Sequence, residues 1–441
     1  MNSKNNTDNS EYEEIIEVLL QFENSSQALR QIIRHYLSER SLSFAIAAKI
    51  QSIALGVIKY RNTIDFILNR NRLKLSLKEI PKKDFLRLRL ALYETRWNRI
   101  PPQSLAPFLK KEIYFRILKK ATNFDLESSI TSMKPVEQYS ILYSHPTFLV
   151  QTLFEKLGKE ETISLMKKNN GPFTSYLRYN LLTSKPEEII SDLSTKKITL
   201  EQDADLPFLY IIKDGMKSIV DSEAFKTGSI FIQDKASILA VKTLNPKPGE
   251  IVWDACAAPG MKTHLIWEFM KGEGKLIASD VHKQRLLSAQ KRFNDFGITQ
   301  VEWVHADAAN PPISNAEKIL IDAPCTSTGI IQSHPSYKWR LNKKVLFSVM
   351  TIQNKILDGI ISKYEANPGT EIVYSTCSVL PHEGENQIDS ILNRYNVELL
   401  DGLDIGQAGY SNYKCSKKVR RLFPHTDDTN GFFIAHLKIK G

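Results

Sequence analysis

The sequence has little cysteine, no clustered metal ligands and no long unbroken apolar run, and each shortage excludes a class of protein. Four cysteines, Cys256, Cys325, Cys377 and Cys415, in 441 residues are too few and too scattered for a disulfide scaffold, which points to a reducing compartment. No Cys-x-x-Cys or His-x-x-x-His pair occurs, so no metal site is expected. No apolar stretch reaches the roughly 18 residues that would suggest a membrane span. The first residues, MNSKNNTDNSEYEE, are polar and acidic where a signal peptide would be basic and then apolar. A soluble, monomeric protein of the cytoplasm, with no membrane partner, is the expectation. A Walker loop and a Gly-x-Gly-x-x-Gly turn are both missing, so phosphate is not the obvious ligand.

What is present is a globular composition, 42% hydrophobic, on a chain longer than one core supports, which predicts two or three domains. The net charge of +10 favours a polyanionic partner. It is unevenly spread: residues 51–100 hold 12 Lys or Arg against 4 Asp or Glu. That stretch is a candidate phosphate-facing surface. A solvated helical face explains it equally well, since Lys74, Lys78, Lys82 and Lys83 need only solubilise.

Pattern divides the chain into four pieces. Residues 1–10 read as a disordered tail. Residues 11–140 carry apolar positions at helical spacing, such as Ile46, Ile50, Ile53 and Val57, punctuated by Pro81 and Pro101-Pro102, and read as an all-helical domain. Residues 141–230 mix a helix from near Thr147, a short strand at Leu177–Leu181, a helix opened by Pro186 and a strand at Leu209–Ile212, which reads as a small α+β subdomain. From 231 to 441 strands alternate with helices, which implies an α/β domain built on a parallel sheet. Its strands are expected at Ile251–Trp253, Leu276–Ser279, Val301–His305, Lys318–Ile321 and Glu371–Tyr374.

The acids just past these strands are regular: Asp254, Asp280, Asp307 and Asp322. After the first strand the chain reads Asp254-Ala255-Cys256-Ala257-Ala258-Pro259-Gly260-Met261-Lys262-Thr263. Small residues and Gly260 let a ligand approach the backbone there, with a helix amino end directed at it. Asp280 is placed to accept from a ribose diol, and Asp307 to receive an exocyclic amine of adenine. Taken singly, each acid is more simply a turn or helix cap. Two cysteines follow two further strands, Cys325 in Asp322-Ala323-Pro324-Cys325-Thr326-Ser327-Thr328-Gly329 and Cys377 in Tyr374-Ser375-Thr376-Cys377-Ser378. A lone cysteine is usually an inert small hydrophobe. Two that open into the crevice at the carboxyl ends of one parallel sheet can instead face one substrate, one attacking and the other helping release. Lys338-Trp339-Arg340 is a further stretch expected near nucleic acid, stacking on a base or holding its phosphate, unless Trp339 simply packs under a surface turn.

The three segments at 254–263, 322–329 and 374–378 resemble the signature motifs of RNA cytosine-5 methyltransferases of the Sun (Fmu) family. Gln233-Asp234-Lys235-Ala236-Ser237 resembles the opening of that family's catalytic domain, and Phe423-Pro424-His425 with Gly431-Phe432-Phe433 its last strand pair. The chain departs from the family where Met261 replaces the usual second glycine. The region ahead, with Ser144-His145-Pro146, is similar to the NusB-like helical domain of the bacterial-type ribosomal RNA enzymes. The resemblance implies a NusB-like RNA-binding domain, the α+β linker and a Rossmann-like methyltransferase domain, with S-adenosylmethionine as methyl donor. It implies cofactor contacts from Asp254, Cys256, Ala257, Ala258, Pro259, Gly260, Met261, Lys262, Asp280, Asp307 and Asp322. The substrate it implies is RNA, small-subunit (16S-type) ribosomal RNA first, with transfer RNA as the alternative. A non-catalytic ribosome-assembly or antitermination factor is the alternative of another class, opposed by the intact Cys325, Cys377, Asp280 and Asp322.

Carbon 5 of cytosine is a poor nucleophile until a thiolate adds to carbon 6 and makes carbon 5 enamine-like. Loss of the carbon-5 proton after methylation expels the sulfur. An ordinary thiol is only a few per cent ionised at neutral pH, so the site must activate it. Asp322 is the group expected to meet ring nitrogen 3. Chemistry alone leaves the attacking thiol open, because a Pro-Cys pair of the DNA-enzyme kind selects Cys325. The RNA-type motif set selects Cys377 as nucleophile and gives Cys325 the release step.

Overall fold

A computed structural model describes residues 2–73, 79–182 and 185–440, with side chains from Ser10 onward; Lys74 and Lys78 lie outside the described residues. The chain forms two compact units. One comprises Met1–Gly171 together with Ile331–Asn342, the other Pro172–Ile330 with Lys343–Gly441.

The first unit is helical, as its periodicity predicts. Its first helix already begins at Asn2 and runs to Asn24, inside the segment read as a disordered tail. The apolar stripes converge on one core in which Ile15, Leu19, Ile50, Val57, Ile64 and Leu92 are essentially inaccessible. The helices at Pro135–Leu142 and Thr147–Asn170 belong to this unit, so its boundary lies some thirty residues beyond the expected one. Ser144-His145-Pro146 is part of its framework: Ser144 Oγ accepts from Asn62 N–H at 3.0 Å, and buried His145 contacts Tyr143 O through Nδ1 at 2.7 Å.

Much of the basic stretch is committed internally. Arg87 pairs with Glu13 at 2.9 Å and Asp84 at 2.6 Å. Arg89 pairs with Asp65 at 2.6 Å and Glu23 at 3.0 Å, and Lys83 with Glu17 at 2.5 Å. Arg87 and Arg89 are buried, so they serve the fold and present no phosphate-facing charge.

Residues Ile331–Asn342 form a strap that leaves the methyltransferase-type sequence and completes the helical unit. A helix leaves its last carbonyls unpaired, and the strap supplies the donors. Lys338 Nζ donates to Lys59 O at 2.7 Å and Trp339 Nε1 to Ile58 O at 2.6 Å, at the end of the helix Phe44–Lys59. Arg340 Nη2 donates to Phe22 O at 2.8 Å, at the end of the first helix. Leu29 N–H, at the start of the helix Leu29–Ser38, donates to Ser336 Oγ at 3.3 Å. Lys338 is wholly buried, and burial, then Lys59, pushes its pKa well below the ordinary lysine value. Lys338-Trp339-Arg340 therefore caps helices; it is not the exposed nucleic-acid platform that its composition suggests.

The second unit begins with four antiparallel strands, β1 (Ser175–Tyr179), β2 (Thr199–Gln202), β3 (Leu209–Asp214) and β4 (Ile230–Ile232), in the order β2-β3-β1-β4. The larger sheet contains β5 (Ile251–Asp254), β6 (Lys275–Asp280), β7 (Glu302–His305), β8 (Lys318–Asp322), β9 (Glu371–Thr376), β10 (Val397–Leu400), β11 (Gln407–Ala408), β12 (Arg420–Leu422) and β13 (Phe432–Ile439). Its order is β11-β12-β13-β9-β8-β5-β6-β7, with β10 on β13.

Strands β5 to β9 are parallel and match the five expected. Val252, Leu276, Ala278, Leu320 and Val373 enter one core, while Trp253, Ile277, Ile319, Ile321, Ile372 and Tyr374 enter the other. Burial on both faces is why these strands read as continuous apolar runs. The sheet is nevertheless mixed: β13 runs antiparallel to β9, and β10 and β12 pair antiparallel with β13, which a purely parallel expectation missed. The helix Lys343–Tyr364 is long and apolar enough to cross a membrane by length and composition, although no 18-residue apolar run was recognised in the sequence. Its Leu346, Ile356, Leu357, Ile360 and Ile361 are buried, the last four in the second core.

Candidate active site

The strand order reverses at β5, which lies between β8 and β6. A reversal of this kind opens a crevice at the carboxyl ends of the strands, and Asp254, Asp280, Asp322 and Cys377 all stand there.

Past β5 the chain turns sharply. Ala257 N–H donates to Ser279 O at 2.8 Å and Gly260 N–H to Ala257 O at 2.7 Å. Gly260 has φ +96, a left-handed conformation that side chains resist, and a Cβ there would lie 3.2 Å from both Ala289 and Phe293. The helix Met261–Phe269 starts immediately afterward. Met261 is its first residue, with Arg292 Nη1 at 4.0 Å from its sulfur, so the missing family glycine is accommodated as an ordinary helical position.

Asp280 is buried and accepts from Ala258 N–H at 3.1 Å and His282 N–H at 2.7 Å. It thus braces the turn beside Cys256, Ala257, Ala258 and Pro259 while ending β6. Asp307 follows the end of β7, stays exposed and accepts from Ala309 N–H at 3.0 Å. The turn-capping explanation holds for that contact.

Asp254 is 1% exposed. Its Oδ2 accepts from Thr263 at 2.7 Å, whereas Oδ1 is buried without a partner. Burial pushes its pKa up to about 7; Thr263 opposes the rise, and nearby Asp322 adds to it.

Asp322 accepts from Lys262 Nζ at 2.7 Å and from Ser375 Oγ at 3.0 Å. Burial works against the charge on Lys262, but Asp322, followed by Cys377 and Asp254, holds its pKa above the ordinary lysine value. Lys262 was expected as a cofactor contact; the structure places its ammonium between Asp322 and the thiol side of the crevice.

Cys325 Sγ and Cys377 Sγ lie 3.1 Å apart, and both thiols are half-buried. The hydrogen bond to Cys377 is the largest cause holding the Cys325 pKa well above the usual thiol value; burial and Glu383 reinforce it. Cys325 is therefore held as a protonated thiol beside Cys377. Cys256 is held high by burial and four surrounding acids. Cys415 is fully buried, and burial likewise raises its pKa.

The loops carrying the pair are set by contacts that the sequence did not announce. Gly329 N–H donates to Cys377 O at 2.9 Å, and Gly431 N–H to Gly329 O at 2.8 Å. A Cβ on Gly329 would fall 1.8 Å from Gly431 O, so only glycine allows that approach. Glu383 is wholly buried and accepts from Thr326 N–H at 2.7 Å, Ser378 Oγ at 2.5 Å, Gln353 Nε2 at 3.2 Å and the Thr326 hydroxyl. Glu385 instead pairs with buried Arg421 at 2.5 Å. Among the described residues no group of three or more His, Cys, Asp or Glu has the arrangement of a metal site.

Residues 241–438 match the family model described as 16S rRNA methyltransferase RsmB/F, and residues 12–106 match the NusB family. The human 28S rRNA (cytosine(4447)-C(5))-methyltransferase is 29% identical over 311 residues, 68% of this chain but 38% of that protein. The chain thus spans well under half the length of that relative. A probable ribosomal RNA small subunit methyltransferase B of Synechocystis is 27% identical over 426 residues, 93% of this chain and 94% of its own length. The crystal structure of a methyltransferase homologue protein from Pyrococcus horikoshii matches with a TM-score of 0.62 and 28% identity, over 70% of this chain and 99% of its own. The chain carries a methyltransferase domain of the RsmB/F family over residues 241–438 and a NusB-family domain over residues 12–106.

Proposed function

We propose that this protein methylates carbon 5 of a cytosine in small-subunit (16S-type) ribosomal RNA, through a covalent adduct between Cys377 and carbon 6, with S-adenosylmethionine as donor. The observation that carries the reading is the pair of sulfurs 3.1 Å apart beside the Lys262–Asp322 ion pair. A structural cysteine needs no second thiol and no charged neighbours; a nucleophile with a release partner needs both.

The residues fit the donor. The unpartnered Oδ1 of Asp254 suits an ammonium group, the helix Met261–Phe269 begins directly after the turn at the crevice, and Asp280 ends the next strand where a ribose would lie. When bound, S-adenosylmethionine supplies an electrophilic methyl group on a sulfonium. Cys377 attacks carbon 6, and the ring's electron pair moves toward carbon 5 and nitrogen 3. Asp322 and Lys262 meet the charge that develops there. Cys325, holding its proton against Cys377, is the weaker nucleophile. It is placed to assist the departure of Cys377 sulfur once the carbon-5 proton is removed.

The test uses the full chain with radiolabelled methyl donor and small-subunit ribosomal RNA, with transfer RNA as competitor. Cys377→Ala should abolish both methyl transfer and any adduct stable to denaturation. Cys325→Ala should attack and stall as a protein–RNA adduct. An adduct persisting in Cys377→Ala would overturn the assignment, and preferential labelling of transfer RNA would move the substrate.

A further inference from the structure

We propose that Glu383 is a positioning residue: it ties the Cys325 loop to the Cys377 loop and fixes how the two sulfurs face each other. Its catalytic meaning rests on the two-thiol reaction proposed above, whereas its geometric meaning does not.

Thr326 directly follows Cys325, and Ser378 directly follows Cys377. Both donate to one carboxyl group, Thr326 through its backbone N–H at 2.7 Å and its hydroxyl, Ser378 through its hydroxyl at 2.5 Å. Each oxygen accepts two bonds, and the fourth donor is Gln353 at 3.2 Å. Gln353 belongs to the helix Lys343–Tyr364 and also donates to Pro324 O at 2.8 Å, just ahead of Cys325. The backbone carbonyl of Glu383 accepts from Tyr374 OH at 2.9 Å, which holds the short helical turn Pro381–Glu383 against β9. The clamp therefore reaches both thiols from the residue next to each.

Its neighbour shows that charge neutralisation is not the purpose. Glu385, two residues on, is paired with the buried Arg421 guanidinium at 2.7 and 2.5 Å. Among the described residues Glu383 has no basic partner; its partners are the donors of the two cysteine loops. A buried acid held only by hydrogen bonds costs more than a buried glutamine would unless its geometry is needed. Glutamine offers one acceptor oxygen, so it cannot accept all four bonds: with that oxygen on the two N–H donors, its NH2 faces the Thr326 and Ser378 hydroxyls, which lose their acceptor and must turn their protons elsewhere.

The geometric test needs no RNA. Phenylarsine oxide condenses with two close thiols: two As–S bonds form, and the As=O oxygen leaves with both thiol protons as water. No oxidant or reductant is consumed. Wild-type full chain should capture one arsenical, protecting Cys325 and Cys377 together from later alkylation in peptide mapping. Glu383→Gln should bind it about ten-fold more weakly or worse, while S-adenosylmethionine affinity stays within about two-fold. In steady-state methylation the same variant should lose kcat by about ten-fold or more, with KM for RNA little changed. Should Glu383→Gln fail to bind the methyl donor, Thr326→Val provides the test, since it deletes one hydroxyl bond and keeps the backbone bond. Its capture should weaken by about three-fold. Wild-type-like capture by a donor-competent Glu383→Gln, or no paired capture by the wild type, would overturn the proposal. Paired capture lost in the variants, from an enzyme that methylates no RNA, would support the clamp and refute the reaction assigned above.

Discussion

Asp254→Asn should flatten the pH dependence of stability in the catalytic unit. An aspartate in an unfolded chain titrates near 3.9, whereas burial raises Asp254 to about 7 in the folded protein. Below about pH 4 the group is neutral in both states and adds no pH-dependent term. Between about 4 and 7 the folded protein holds a proton that the unfolded chain has released, so stability falls as pH rises. Three units at about 1.36 kcal/mol each give a loss of about 4 kcal/mol, complete above pH 7. Asparagine keeps an oxygen for the Thr263 hydroxyl and carries no charge to bury. The donor-free variant should therefore match wild type near pH 4 and exceed it by up to about 4 kcal/mol at pH 8. Hydrogen exchange of the backbone amides in Ile251–Asp254, across that pH range, reads the local unit directly. A wild-type protein whose corrected opening free energy is as flat as the variant's would show that Asp254 is not a buried titrating acid.

Other consequences can be measured with single substitutions. A cationic donor that meets Asp254 Oδ1 favours the ionised carboxyl, so calorimetric affinity for S-adenosylmethionine should weaken by up to about ten-fold per pH unit below 7; Asp254→Asn should remove that slope. Gly260→Ala forces a side chain into a left-handed conformation with contacts at 3.2 Å. It should cost about 1–3 kcal/mol in urea unfolding and lower donor affinity as well. Trp339→Ala deletes the indole bond to Ile58 O and its packing, and should cost about 2–3 kcal/mol in the helical unit, seen as faster hydrogen exchange in Phe44–Lys59. Arg89→Gln should destabilise that unit but leave the salt slope of RNA binding unchanged, because Arg89 is committed to Asp65 and Glu23. A shallower slope would return Arg89 to the phosphate-facing surface.

The parallel strands and the four acids were legible because a strand buried on both faces leaves an unbroken apolar run, and a polar residue must follow where it emerges. The cysteine loops were legible as motifs. Their support was not: Glu383 reads as an ordinary acid opening a helix, and its partner Thr326 is 57 residues earlier. The ion pair of Lys262 with Asp322 was not legible for the same reason, since Asp322 lies 60 residues away. Asp307 follows its strand in the sequence as the other three acids follow theirs, and those are partly or wholly buried, yet its own carboxyl caps an exposed turn. The antiparallel β10 and β12 are short and pair only through β13, the long strand laid antiparallel on β9, and periodicity does not encode pairing direction. The strap was misread because its basic and aromatic residues suit nucleic acid as well as they suit helix ends.

That strap has a consequence in time. A helical unit formed mainly from the first 171 residues would ordinarily complete itself as soon as those residues leave the ribosome. Here the caps for its helix ends reside in Ser336, Lys338, Trp339 and Arg340, and the ribosome must add about 170 more residues before they exist. At roughly 5–20 residues per second, the amino-terminal unit waits about ten to thirty seconds with its Ile58 and Lys59 carbonyls uncapped. By then the strands through β8, and Cys325 itself, have already been made. Completion of the NusB-family domain thus follows synthesis of half the methyltransferase one, and the chain cannot finish the first without having begun the second.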